Sequence, residues 1–243
     1  MLRANSMVLA TVTAFAALMI LTEVIVRARR WPKVATWWTR ALLLNAVQVG
    51  VAWTAGMTWE RWMSDYRLWS IEALGIAWQV AIGYVAITFV YYWWHRWRHE
   101  VPLLWRCVHQ VHHSPTRIEV ITSFYKHPFE ILLNSLLSTA ILYFLVGVGR
   151  EAAAYTVLVT GVAELFYHWN VRTPYWLGFL IQRPESHCVH HQRGVHAFNY
   201  ADLPLWDMLF GTFRNPRKWD ASCGFGEAQE QRLAEMLRWK EVR

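Results

Sequence analysis

The sequence predicts an all-α, polytopic integral membrane protein of about four to five spans with a histidine-rich cap on the cytosolic side. Three observations carry that prediction. Of 243 residues, 55% are hydrophobic, and the mean hydropathy is +0.15, so the chain has enough apolar sequence to cross a bilayer several times. The apolar residues collect in runs long enough to span as helices. All eleven histidines lie between His95 and His196, where two of those runs end.

Residues 7–26 are apolar apart from Thr11, Thr13, Thr22 and Glu23 and form the first expected span. Arg27, Arg29, Arg30, Lys33 and Arg40 follow it. This heavier C-terminal positive flank reverses the order of a cleavable signal peptide, so the run reads as a retained helix with its N-terminus outside. Residues 41–57 make a short second span. The tryptophan-rich stretch 60–70, with balanced charge, is expected as an outer interfacial loop. Residues 71–94 form a third span that leads straight into the first histidines, back on the inside. Residues 131–148 and 152–169 read as a helical hairpin turning at Gly149 and Arg150. From Arg172 on, Pro174, Pro184, Pro204 and Pro216 cut the chain into short segments of a cytosolic cap, closing in an amphipathic helix over 227–240. This topology places residues 95–127 and 168–196 on one side of the membrane.

The excess of 24 Lys and Arg over 17 Asp and Glu could serve nucleic acid, anionic lipid or an acidic protein. Its densest stretch directly follows an apolar run, as a positive-inside loop does, and excludes nucleic acid as the simpler reading. Seventeen tryptophans, among them Trp31, Trp37, Trp38, Trp59, Trp62, Trp93, Trp94, Trp169 and Trp176 at expected span ends, read as an interfacial aromatic belt. The three cysteines, Cys107, Cys188 and Cys223, are too few and oddly numbered for a disulfide framework. Gly147, Gly149 and Ala152 form a GxGxxA with no strand before it, which gives no cofactor assignment.

Eight histidines fall into three groups: His95 and His99; His109, His112 and His113; His187, His190 and His191. At this histidine content an HxxHH pattern arises by chance roughly once in ten thousand start positions, and here it occurs twice. Residues three and four apart on a helix share a face, so each HxxHH is expected to turn three imidazoles to one side. Burying that many polar rings without a common partner is costly. Metal is the economical partner, and eight or more nitrogen ligands exceed what one ion takes, so two ions are expected. Imidazole suits zinc, copper, iron or nickel alike. A two-ion site at the membrane face, within reach of lipid chains, points to iron and dioxygen chemistry. An HExxH zinc hydrolase is excluded because Glu100 follows His99 with no histidine at position 103.

The boxes HRWRH (95–99), HQVHH (109–113) and HCVHH (187–191), with YKHPFE (125–130), FYHWN (166–170), RPESHCVHH (183–191) and NYADLPLWDMLFGTF (199–213), resemble the fatty acid hydroxylase and sterol desaturase superfamily. The resemblance runs from about residue 90 to 215. It implies two irons, dioxygen as co-substrate, a lipid substrate, and electrons from a separate cytochrome b5-like or ferredoxin-like donor. It also marks His168 as a ninth ligand beside the eight box histidines. One departure is Ala201, where the family usually has glycine, which bears on loop shape more than on metal chemistry.

Around these ligands, His127 is expected as support, His196 as an exposed loop residue, and Glu164 as a group outside the ligand set. Asp207 could orient a ligating imidazole or cap local backbone. Cys107 and Cys188 sit about 100° off the ligand face. Residues 1–70 read as an N-terminal transmembrane region and 71–243 as the catalytic unit. The expected activity is hydroxylation of a lipid C–H bond, with desaturation at the same site as the alternative. A metal transporter would carry its ligands near mid-membrane, and a haem electron carrier would show isolated axial histidines on facing helices. Short length and the absence of a C-terminal lysine retrieval signal incline the location to a bacterial cytoplasmic membrane over the endoplasmic reticulum.

Overall fold

The computed structural model describes residues 2–242, with side chains from Ala10 onward. The first few residues of the expected first span therefore lie outside the described side chains. Every regular element among the described residues is helical apart from one isolated bridge, Gln192 to Cys223. Five longer helices form the body: α1 (Leu2–Ile25), α2 (Trp37–Met57), extended by α3 (Trp59–Asp65), α4 (Ile76–Glu100), α7 (Pro128–Ala140), extended by a π-helical stretch (Ile141–Val146), and α8 (Arg150–Tyr167). Between α4 and α7 run the short α5 (Pro102–Leu104), a π-helical turn (Trp105–His109) and α6 (Gln110–His113). The cap adds α9 (Pro184–His190), α10 (Pro204–Leu209), α11 (Glu227–Glu230) and α12 (Leu233–Met236).

Among the residues with described side chains, three helical stretches are long and apolar enough to cross a membrane, Trp37–Asp65, Ile76–Glu100 and Pro128–Val146, and the described part of α1, Ala10–Ile25, is apolar as well. Their outward faces are apolar too. Leu43, Trp53 and Trp78 are 64%, 60% and 68% exposed, a pattern a water-facing surface would not sustain and a bilayer accepts. Inside the bundle α8 packs along α4 and α1, and α2 packs on α7.

The expected third span starts later and ends later than residues 71–94: α4 begins after the Gly75 N-cap and continues through the whole first histidine box. It stops where Pro102 disfavours a helical Val101, which is extended. The same device starts four helices, since Pro102, Pro128, Pro184 and Pro204 each occupy a first helical position where no N–H is needed. The outer loop expected at 60–70 is in part the helix α3. Its end is tied to the α7–α8 turn by Arg150 to Asp65 and by Arg67 to the Val148 carbonyl at 3.1 Å, with Arg67 also paired to Glu72 in its own loop at 2.7 Å.

The single amphipathic helix expected over 227–240 is two separate turns, α11 and α12. Tertiary partners break it. Glu230 is fully buried, accepting from Arg40 at 3.0 Å and from the Thr116 backbone and hydroxyl at 2.9 and 2.8 Å. The tryptophan belt is also only part of the account. Trp38, Trp62 and Trp176 are exposed, but Trp37 is buried and donates to Glu119, while Trp94 and Trp169 donate to Asn134 and the Met19 carbonyl.

Candidate metal centre

The end of α4, the π turn with α6, the end of α8, and α9 converge at one end of the bundle. They bring nine histidines into two groups, in each of which one nitrogen from every ring lies within 4.8 Å of the others: His95, His99, His109, His113 and His190 in one, His112, His168, His187 and His191 in the other. These are the nine residues singled out in the sequence. The expectation that each HxxHH turns three rings to one side does not hold. In each box the i,i+4 pair stays together and the i+3 histidine crosses over: His109 and His113 join His95 and His99, while His112 joins the other group; His187 and His191 join His168, while His190 returns to the first. The helical wheel explains the split, because i+3 and i+4 lie on opposite flanks of residue i, about 60° one way and 40° the other. The two groups abut, with the His113 and His191 rings stacked at 4.1 Å.

The outer nitrogens show what the inner ones must do. His95 Nδ1 donates to the Tyr200 carbonyl at 2.7 Å, and His109 Nδ1 donates to Glu130 at 2.9 Å. Each ring then has only a lone pair at Nε2, yet these two nitrogens face each other at 3.0 Å. Two lone pairs at that distance repel unless a cation lies between them. A third, His113 Nε2, approaches His109 Nε2 at 3.2 Å. In the second group His187 Nε2 stands 3.0 Å from both His168 Nε2 and His191 Nε2, with His168 Nδ1 donating to the Glu164 carbonyl at 2.8 Å. Imidazole–metal bonds of about 2.0–2.1 Å set neighbouring nitrogens about 3 Å apart when they meet near right angles, so the residues fit a pair of metal ions. His190 Nε2 and His99 Nε2, buried without a hydrogen-bond partner, fit the same conclusion.

Electrostatics keep the rings ready. Burial first, and then the unfavourable charging of one ring beside the others, with Arg98 near His109 and His112 and Lys126 near His112 and His187, hold His109, His112, His113, His187 and His191 well below the ordinary histidine pKa. Burial likewise takes His168 and His190 down to about 3. Neutral imidazole at physiological pH is the form that ligates metal.

The remaining sequence candidates separate clearly. His127 lies outside both groups and caps α7, its Nδ1 accepting from the Phe129 N–H at 2.9 Å. His196 is not the exposed loop residue expected: it is half-buried, 3.1 Å from His113 Nδ1, and packs against Trp105 and Phe225. Its neighbours Phe198 to Ala201 turn back under the site and take the loop inward. Glu164 uses its side chain to pair with Lys126 and its carbonyl to receive His168. Asp207 reaches no imidazole; its carboxylate accepts from the Tyr200 and Ala201 N–H groups at 2.8 and 2.9 Å and thereby fixes the carbonyl that holds His95. Cys188 packs with Cys223 and belongs to neither group.

Sequence reasoning passed over Glu130 and Arg98. Glu130 is fully buried on α7 and joins Arg98 to His109. The available signals were an acid inside YKHPFE, next to an apolar run, and an arginine inside the first histidine box. On the outward face of α4 an open apolar groove of about 560 Å³ is lined by Trp78, Ile82, Val85, Phe89 and, from the cap, Trp206. Trp206 Nε1 donates to Thr88 on α4 at 3.1 Å. Its end at Phe89 lies about 9 Å along the helix from His95, at 1.5 Å per residue.

The family model for fatty acid hydroxylase matches residues 80–212. Relatives include the ornithine lipid hydroxylase OlsE of Rhizobium tropici, 36% identical over 146 residues, which are 58% of this chain and 43% of that protein. The human alkylglycerol monooxygenase is 28% identical over 157 residues, 61% of this chain and 33% of the relative. The sphingolipid C4-hydroxylase sur2 of Schizosaccharomyces pombe is 24% identical over 145 residues, 58% of this chain and 50% of the relative. The chain thus spans half or less of the length of these relatives. No solved structure matches it.

Proposed function

With more than half of its residues matched, over 80–212, the chain belongs to the fatty acid hydroxylase family, and we propose that it hydroxylates a C–H bond of a membrane lipid with two irons held by His95, His99, His109, His113 and His190 and by His112, His168, His187 and His191. The observation that carries this reading is the pair of neutral histidine groups, with facing lone pairs, at the ends of membrane-length helices. When bound, the irons supply activation of dioxygen; one turnover consumes R–H, O2, two electrons and two protons and yields R–OH and water.

The chain's own residues do the rest. Carbonyls of Tyr200, Phe198 and Glu164 and the carboxylate of Glu130 fix the ring orientation of His95, His190, His168 and His109. The groove along α4 receives a hydrocarbon chain from the bilayer, with Trp206 of the cap in its lining. Burial of His109, His112, His113, His168, His187, His190 and His191 keeps water from most of the centre, while His95 and His99 are half-buried at its rim. The electrons come from a separate cytochrome b5-like or ferredoxin-like carrier, drawn by a net charge of +7. Residues 71–243 form the catalytic unit and 1–70 a supporting transmembrane region, with the histidines on the cytosolic face of a bacterial cytoplasmic membrane. Desaturation at the same site is the second reading, since it starts from the same hydrogen abstraction.

The test combines metal analysis with lipid mass spectrometry. The chain purified from iron-supplied cells should carry about two irons, and cells producing it should accumulate a lipid heavier by one oxygen. His112→Ala and His190→Ala should each lose metal and product together. Normal amounts of oxygenated lipid in both variants would rule out the metal centre as the source, and a lipid lighter by two hydrogens would establish the desaturase reading.

A further inference from the structure

The segment 194–201 crosses the metal centre in an unusual backbone conformation. Gly194, His196, Phe198 and Asn199 have φ of +74°, +42°, +70° and +47°. Elsewhere among the described residues only Thr36 and Trp239 are non-glycine residues with positive φ. For a bulky side chain such as phenylalanine this region is disfavoured, and a run of it persists only where surroundings over-determine the backbone.

The strained path turns two carbonyls and one ring inward. The Phe198 carbonyl accepts from His190 Nδ1 at 2.7 Å, the Tyr200 carbonyl accepts from His95 Nδ1 at 2.7 Å, and His196 Nδ1 lies 3.1 Å from His113 Nδ1. All three histidines belong to the group of five. None of the group of four bonds to this segment: His168 is held by the Glu164 carbonyl on its own helix and His112 stands 3.4 Å from the Tyr125 carbonyl, while the Nδ1 atoms of His187 and His191 have no hydrogen-bond partner.

Asn199 locks the path. It is 2% exposed, and its side chain donates to the Ser186 carbonyl at 2.8 Å and accepts from the Arg214 N–H at 2.7 Å. Its backbone N–H donates to the Thr212 carbonyl at 3.0 Å, and its carbonyl accepts from Gln182 at 2.7 Å. Asparagine also tolerates the left-handed region better than most residues. Asp207 holds the next two N–H groups.

We propose that residues 194–201 are a clamp dedicated to the five-histidine group, with Asn199 as its positioning residue, so that the two metal positions depend unequally on this loop. The proposal rests on the two-ion reading above. It goes further in assigning the strained loop to His95, His113 and His190 of one position and to no ligand of the other.

Cobalt(II) titration of the metal-depleted full chain in detergent tests it, read as equivalents bound and as the ligand-field spectrum of each. The unaltered chain should take two equivalents with distinct spectra. Asn199→Ala should weaken one of them about 10–100-fold, the usual effect of losing a group that orients a metal ligand, and leave the other spectrum unchanged. His168→Ala should remove the complementary spectrum, and the double variant should lose both. Helix content by circular dichroism accompanies each titration. Asn199→Ala binding two equivalents as tightly as the unaltered chain, or losing both in parallel with helix content intact, overturns the clamp. A drop in helix content in Asn199→Ala would move the decision to Asn199→Asp, which keeps shape and the accepting oxygen and should weaken the same equivalent; unchanged binding there overturns the clamp as well. A single equivalent in the unaltered chain overturns the two-ion reading itself.

Discussion

At His109 the nitrogen facing away from the centre donates to Glu130, and Glu130 is in turn paired with Arg98, all three being buried. Glu130→Gln keeps the shape but removes the charge, leaving Arg98 uncompensated and His109 weakly oriented. Metal affinity of the five-histidine group should fall about 10–100-fold while the four-histidine group keeps its ion. Metal titration of the purified variant measures this, and wild-type affinity at both positions would show that Glu130 does not orient the ring. The low pKa values have their own consequence. His168 and His190 are held at about 3 by burial, against about 6.5 in an unfolded chain. Between these values the unfolded state binds more protons, so stability rises with pH through the window and is lost as pH falls from about 6.5 toward 3, each histidine contributing a slope of about 1.4 kcal/mol per pH unit. The thermal midpoint of the metal-free protein should therefore be lower at pH 5 than at pH 7. An unchanged midpoint would mean that the rings are not buried in neutral form.

Element boundaries follow local chemistry closely wherever proline or glycine sets them. The X-Pro pairs at Val101-Pro102, His127-Pro128, Arg183-Pro184 and Leu203-Pro204 start helices in the structure, and each is readable from the chain. The α7–α8 turn depends on Gly147, whose φ is +75° and where an added Cβ would stand 2.5 Å from the Trp69 carbonyl. Gly147→Ala should cost about 1–3 kcal/mol from the left-handed strain and the backbone clash. Unfolding in denaturing detergent should show it, while metal content per folded chain stays unchanged because the turn lies at the far end of the bundle. Full retention of stability would mean that the turn adopts another path. By contrast, the C-terminal segment looked like one helix from its periodicity alone. The ion pair of Glu230 with Arg40 and its bonds to Thr116 bind it to the distant α2 and to the loop after α6, and no local pattern announces those partners.

For the molecule as a whole, the groove on α4 offers a test of where substrate lies. Val85 and Ile82 are 46% and 41% exposed on the membrane face and do not touch the histidines. Val85→Trp should fill much of the groove, lowering lipid oxygenation several-fold while metal content and stability remain near the unaltered values, since a surface substitution away from the core typically stays within about 0.5 kcal/mol. Undiminished product would place the lipid chain elsewhere.

From the sequence alone came the all-helical membrane class, the approximate spans, the nine histidines and the expectation of two ions, because these depend on run length, residue type and spacing along the chain. The tertiary structure decided how the histidines divide. Two boxes of identical pattern send their i+3 members to opposite groups, which depends on how α6 and α9 face each other across the end of the bundle. It also brought Glu130 to His109 and the strained segment 194–201 to His95, His113 and His190. Apart from the Phe198 carbonyl on His190, those contacts join residues 21 to 105 apart in the chain, and their energy comes from packing and buried hydrogen bonds that form only when the helices meet.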